Sequence, residues 1–319
     1  MSHQLYPRIT ENSHQLLSVD NGQHQLYVEE SGNVNGIPVI YIHGGPGGGA
    51  SENHRRYFDP ELYHIILFDQ RGCGRSLPSP SIEANITSLL VDDIEAIRLH
   101  FGIDKWLVTG GSWGTTLAMC YGIAHPDKCL GFILRGVFLG EQKELSWLYG
   151  ENGAGKFFPD YYQIFTEDIG SKTSSGVIED YFNRLTDHNE VAAVAASKNW
   201  YLWELRLSSL EHHFYQNEVE DPHQAHCMAL LSCYYFKNNC FIEEGYIRNN
   251  IDKIGHIPSI IIHGRYDMVC QINQAFELAE LWENASLQIL PQAGHSGFES
   301  QTIDAFCKAT DIMASFLKK

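Results

Sequence analysis

The stretch Val108-Thr109-Gly110-Gly111-Ser112-Trp113-Gly114-Thr115-Thr116 is a G-x-S-x-G turn, entered from an apolar segment and left by a helix-forming one. A strand-to-helix reversal this tight crowds the backbone around Ser112, so glycines stand at 110 and 114, where a side chain would collide with neighbouring chain. The turn lifts the Ser112 hydroxyl above the sheet edge. Upstream, Asp104-Lys105-Trp106-Leu107-Val108 reads as a buried strand; downstream, Thr116-Leu117-Ala118-Met119-Cys120-Tyr121 reads as the start of a helix. A bare G-x-S-x-G also occurs in structural turns, so the case for a nucleophile rests on residues elsewhere in the chain.

A serine hydroxyl needs a base to take its proton, and the base needs an acid to orient it. Ile257-Pro258-Ser259-Ile260-Ile261-Ile262-His263 reads as a strand ending in Gly264-Arg265-Tyr266-Asp267, which puts Asp267 just past its carboxyl end. Ser286-Leu287-Gln288-Ile289-Leu290 reads as another, followed by Pro291-Gln292-Ala293-Gly294-His295-Ser296. Taken singly, Asp267 is a loop turn residue and His295 one imidazole among 16 histidines. Together, the chain order Ser112, Asp267, His295, each at a strand end, resembles the triad of α/β hydrolases. The loop His43-Gly44-Gly45-Pro46-Gly47-Gly48-Gly49, after the strand Pro38-Val39-Ile40-Tyr41-Ile42, occupies the position of a glycine-rich oxyanion loop. The amides of Trp113 and Gly45 are the expected oxyanion donors, with Gly44 the alternative to Gly45. No Lys-Ser/Thr ends this loop, so it is not read as a nucleotide-phosphate cradle.

The chain resembles the proline iminopeptidases (prolyl aminopeptidases), a serine-peptidase family of the α/β-hydrolase fold. The matching segments are His43 to Gly49, Phe68-Asp69-Gln70-Arg71-Gly72-Cys73-Gly74-Arg75-Ser76, Gly110 to Thr116, His263 to Asp267, and Gly294-His295-Ser296. The resemblance implies cleavage of an N-terminal residue, typically proline, from small peptides with a free N-terminus. It also implies that Glu204, in Trp200-Tyr201-Leu202-Trp203-Glu204, binds the substrate's amino group. Residues 200, 201, 207 and 208 are Trp, Tyr, Leu and Ser, so no basic residue stands at helical spacing to pair with Glu204. Phe138 and Tyr149 fall where the family places the walls of its proline pocket; equally, they read as packing aromatics. One departure is Ser232, in the segment where such enzymes usually carry a second acid. One carboxylate suffices, another acid such as Glu211 or Glu243 substitutes, or the preference for proline has drifted.

The 319 residues, 44% of them hydrophobic, are enough for a large core. Strand-helix alternation runs to about residue 137, gives way to aromatic and helical patterns, and resumes near 247. The expectation is an α/β hydrolase with a mostly parallel central sheet: a catalytic core of 1–137 and 247–319, with an inserted helical cap at 138–246. A net charge of −17 without a basic cluster argues against nucleic acid. No stretch has the length of a membrane span and the first residues lack a signal-peptide core, so a cytoplasmic protein is expected. The eight cysteines form no C-x-x-C pair, so neither disulfides nor a zinc site is expected, and no metal or organic cofactor is called for. Cys270 follows Asp267 closely enough to line the pocket, but has no paired base. Two other readings stay open: an esterase, amidase or lactonase on the same scaffold, and a non-catalytic ligand-binding protein of hydrolase fold.

Overall fold

In the strand Ile37–Ile42 the four consecutive residues Val39, Ile40, Tyr41 and Ile42 are all buried, because the strand has protein on both faces. Val39 and Tyr41 point into one core layer, Ile40 and Ile42 into the other. Ile65 and Leu67 separate from Ile66 and Phe68 in the same way one strand over. This period-2 division of wholly apolar runs makes a central sheet with a hydrophobic layer on each side.

The computed structural model describes residues 4–210, 219 and 221–318. In chain order the elements are β1 (Ser13–Val19), β2 (His24–Gly32), β3 (Ile37–Ile42), β4 (Tyr63–Phe68), α1 (Thr87–His100), β5 (Trp106–Ser112), α2 (Trp113–Ala124) and β6 (Cys129–Val137). There follow α3 (Gln142–Tyr149), α4 (Pro159–Phe165), α5 (Ser174–Leu185), α6 (Glu190–Ser208), α7 (Pro222–Lys237) and α8 (Tyr246–Asn249). The chain returns to the sheet with β7 (Ser259–Gly264), α9 (Ile272–Leu281), β8 (Ala285–Leu290) and α10 (Ser300–Leu317). The sheet order is β1-β2-β4-β3-β5-β6-β7-β8. β1 with β2 and β2 with β4 are antiparallel; every other pair is parallel. From β3 the chain steps to β4 on one side and then to β5 on the other, so the order reverses between β3 and β5. Ligands of open α/β sheets bind at the carboxyl ends of strands beside such a reversal.

At the serine turn, two element boundaries differ from those read in the sequence. The expected strand 104–108 runs instead from Trp106 to Ser112, because pairing with β3 and β6 supplies ladder bonds to Gly110 and Gly111 despite their poor strand propensity. The helix starts at Trp113, three residues before Thr116, since the turn at Ser112 is itself the helix entry.

Between β6 and β7, the helices α5, α6 and α7 pack on one another. Their shared interior is aromatic: Tyr149 stacks on Trp200 at 4.5 Å, and Phe165 lies between Tyr181 at 4.8 Å and Trp203 at 5.1 Å. In the core layer that Val39 and Tyr41 enter, α10 covers the sheet with Phe306, whose ring meets Tyr57 at 4.5 Å and Tyr41 and Phe58 at 6.2 Å. Phe306→Ala removes the centre of that layer and should cost about 3–5 kcal/mol. A urea titration should give a lower midpoint; an unchanged midpoint would mean that this layer does not carry the core.

Candidate active site

Ser112 ends β5 with φ 58° and ψ −128°, a backbone conformation that costs a non-glycine residue about 1–3 kcal/mol. The crowding around it is severe. A methyl group on Gly114 would lie 2.1 Å from the Ile42 carbonyl oxygen, and one on Gly110 2.6 Å from that of Gly114. The turn is braced by Thr115, whose hydroxyl donates to the Ser112 carbonyl at 2.7 Å and accepts the Phe138 N–H at 3.0 Å. Ser112 thus stands in register with Val137 at the end of β6.

Asp267 follows β7 and His295 follows β8. His295 Nδ1 donates to Asp267 Oδ2 at 2.7 Å, and Asp267 Oδ1 accepts the N–H groups of Val269 and Cys270 at 3.0 and 2.7 Å. Burial pushes the Asp267 carboxyl up, but the imidazoles of His295 and His263 and the backbone bond outweigh it and hold it below the usual range. The imidazole packs on Gly136, where a methyl group would come within 3.0 Å of its Cε1. Gly136 is one residue before Val137, so the ring and the serine turn converge on the end of β6. Among the described residues no hydrogen bond joins Ser112 to His295. Such contacts are often long in unliganded sites and tighten when substrate arrives.

Two residues that carry no role in the sequence reading hold this pair. His263 accepts the Val137 N–H on Nδ1 at 3.2 Å, so its proton sits on Nε2, which donates to the Cys270 carbonyl at 2.8 Å. Burial pushes its pKa down, and the neutral ring ties β6 to the turn carrying Asp267. Arg135 Nη1 donates to the His295 carbonyl at 2.6 Å and lies 3.5 Å from Nε2 of the same ring.

The glycine loop abuts the serine: a methyl group on Gly44 would meet Ser112 Cβ at 3.1 Å. Gly45 has φ +119°. Gln70 joins the loop to the turn, its Nε2 donating to the His43 carbonyl at 2.9 Å and its Oε1 accepting the Trp113 indole N–H at 2.9 Å. Asp69, before it, accepts from Arg75 Nε at 2.7 Å and from Ala50 N–H at 2.7 Å, anchoring the far end of the loop. The Asp-Gln-Arg-Gly run was legible as a motif, whereas the task of Gln70 was not, because both its partners lie far away in sequence.

Glu204 is 7% exposed and sits in the aromatic interior of the helices, its Oε1 accepting the Tyr149 hydroxyl at 2.7 Å. Burial pushes the carboxyl up to about 7, against the opposing pull of Tyr149 and Trp200. Tyr149 is fully buried, and Phe138 meets Phe236 edge-on at 5.8 Å, so both pack within the aromatic interior. Burial pushes the Cys270 thiol well up, and the charges and hydroxyls around it include Asp267 and Ser112; Tyr149 in turn senses Cys270. The Ser232 hydroxyl is buried and donates to the Pro46 carbonyl at 3.2 Å, so this position tethers α7 to the glycine loop. Glu243 is exposed, and Glu211 lies outside the described residues.

Residues 37–302 match the family model for the alpha/beta hydrolase fold. A proline iminopeptidase of Xylella fastidiosa is 44% identical over 310 residues, covering 96% of this chain and 98% of that protein. The chain belongs to the proline iminopeptidases. A proline iminopeptidase of Neisseria gonorrhoeae is 41% identical over 296 residues, covering 92% of this chain and 94% of that protein. The proline iminopeptidase fold is shared with an esterase from Exiguobacterium antarcticum (TM-score 0.64, 20% identity, 95% of this chain and 98% of that one). A putative aryl esterase from Burkholderia cenocepacia is similar in the same sense (TM-score 0.65, 17% identity, 96% of this chain and 100% of that one). No helix among the described residues is long and apolar enough to cross a membrane.

Asp267→Asn replaces an acceptor with an amide that favours the wrong imidazole tautomer. Turnover should fall by about 10⁴-fold, as for the equivalent change in a serine protease. Steady-state kinetics check this, and a loss under about tenfold would assign the orienting role to another acid.

Proposed function

We propose that this protein is a serine aminopeptidase that releases an N-terminal residue, preferentially proline, from small peptides with a free N-terminus. His295, oriented by Asp267, takes the Ser112 proton, and Ser112 attacks the carbonyl of the first residue. The amides of Trp113 and Gly45 hold the oxyanion. The imidazolium then protonates the leaving amine, and water activated by the same ring frees the amino acid from Ser112. In this reading the core is 1–137 and 247–319, and 138–246 is a cap that carries Glu204 and excludes water, with Phe138 and Tyr149 flanking the proline ring. The compartment is the cytoplasm, in keeping with eight cysteines that are all free and buried.

The observation that carries the exopeptidase reading is Glu204. Its hydrogen-bond partner is a neutral phenol, and among the described residues no cation pairs with it. A carboxylate so buried is costly until a positive charge arrives, and a substrate ammonium supplies one. With Ser232 buried in place of a second acid and Glu243 exposed, this role falls to Glu204 among the described residues.

Ser112→Ala should abolish turnover with the fold intact, and a fluorophosphonate should label Ser112 in the wild type. Labelling elsewhere would remove the nucleophile assignment. A second measurement tests the amine site. Below about pH 7 Glu204 is protonated in the free enzyme and cannot balance an ammonium. kcat/KM for prolyl naphthylamide should therefore rise through about pH 7 with a component that is absent for a simple ester and absent in Glu204→Gln. N-acetylation of the prolyl substrate should eliminate cleavage. Equal cleavage of free and acetylated substrates would leave an esterase or amidase in place of the aminopeptidase.

A further inference from the structure

The loop carrying His295 is bound along its length by the chain that leaves α6. The carbonyl of Ser208, the last residue of α6, accepts the N–H of His295 at 2.8 Å and that of Ser296 at 2.6 Å. Two residues on, the Leu210 N–H donates to Glu299 Oε1 at 2.7 Å, and Glu299 Oε2 accepts the Gly294 N–H at 2.6 Å. Residues 294, 295 and 296 therefore all give their N–H groups to this strap or to the carboxylate that joins it. The approach is close: a methyl group on Gly294 would lie 3.1 Å from the Ser208 carbonyl oxygen and 3.2 Å from the Leu210 nitrogen. The strap continues directly into the helix that holds Glu204, whose own carbonyl accepts the Ser208 hydroxyl at 2.8 Å.

Glu299 stands at the N-terminal cap of α10, where a short polar side chain such as Asp or Ser ordinarily accepts the helix's first free N–H groups. Its side chain makes no such bond and spends both oxygens on the strap and the loop. We propose that Glu299 is a positioning residue for the reaction: by holding Leu210 to Gly294 it fixes the His295 ring relative to Ser112 and couples that ring to the helix bearing Glu204. The proposal rests on the reading of Ser112 and His295 as nucleophile and base. Without a Ser112–His295 hydrogen bond in the unliganded site, backbone bonds such as these set where the ring stands. Displacement of a reacting group by about 1 Å can cost up to about 100-fold in rate.

A graded series tests it. In Glu299→Gln one carbonyl oxygen remains to accept; in Glu299→Ala none does. With folding verified by circular dichroism, kcat on prolyl naphthylamide should fall by about tenfold in the first and further in the second, KM staying within about twofold. The rate at which a fluorophosphonate labels Ser112 should fall in the same order, and it reads the base without any amine contact. If the aminopeptidase reading fails, prolyl turnover is lost as a measure in the wild type itself while the labelling series still decides. Leu210→Pro removes the donor on the strap while leaving Glu299 and its bond to Gly294 in place, serves if the Glu299 variants do not fold, and should slow labelling too. Labelling at the wild-type rate in folded variants, or a rise in KM with kcat unchanged, would overturn the proposal.

Discussion

The site depends on how closely two backbones approach where the sheet order reverses. A side chain at position 114 would strike the Ile42 carbonyl at 2.1 Å, so β5, the start of α2 and the end of β3 meet with nothing but hydrogen between them. This contact sets the serine on its strained turn and brings the glycine loop against it. The strain at Ser112 is offset by burial on all sides: the residues that follow it, from Trp113 to Ile123, are buried. Relaxing the turn would break that packing.

Around this fixed point, polar side chains tie together loops that local structure alone would leave independent. Gln70 links the glycine loop to Trp113, His263 links β6 to the turn of Asp267, and Arg135 holds the carbonyl of the histidine residue. Each bond closes a buried donor or acceptor whose exposure to an apolar interior would cost about 1–3 kcal/mol. The helices inserted after β6 join the same network. Gln224 and Ser232 of α7 donate to the carbonyls of Gly48 and Pro46, and the end of α6 binds the histidine loop.

The fold was legible because its signals are local: wholly apolar strand runs, a glycine-flanked serine between strand and helix, and an aspartate and a histidine in hydrolase order just past two later strands. The resemblance to proline iminopeptidases added Glu204, for which the residues alone offered only the absence of a helical cation. The supporting groups were not legible, for a physical reason. Arg135 and His295 are 160 positions apart, and the bond runs from a guanidinium to a carbonyl oxygen that any residue could supply. Side-chain bonds to backbone leave no paired signature in the sequence. Tyr149 illustrates the point differently: its ring stacks on Trp200 and its hydroxyl reaches Glu204, 55 positions away, pairings that no local pattern announces.

The Ser208 carbonyl, which accepts two N–H groups of the histidine loop, also bears on how such an enzyme could diverge. In a modular hydrolase an inserted helical segment could be exchanged between relatives to change what is recognised, leaving the chemistry to the scaffold below. Here the segment's last helical carbonyl belongs to the scaffold's own loop. A chimaera with its junction inside α6 or just after it would inherit a foreign seat for its His295. Junctions that transplant Ser208, Leu210 and Glu299 together keep the graft and the loop as one unit.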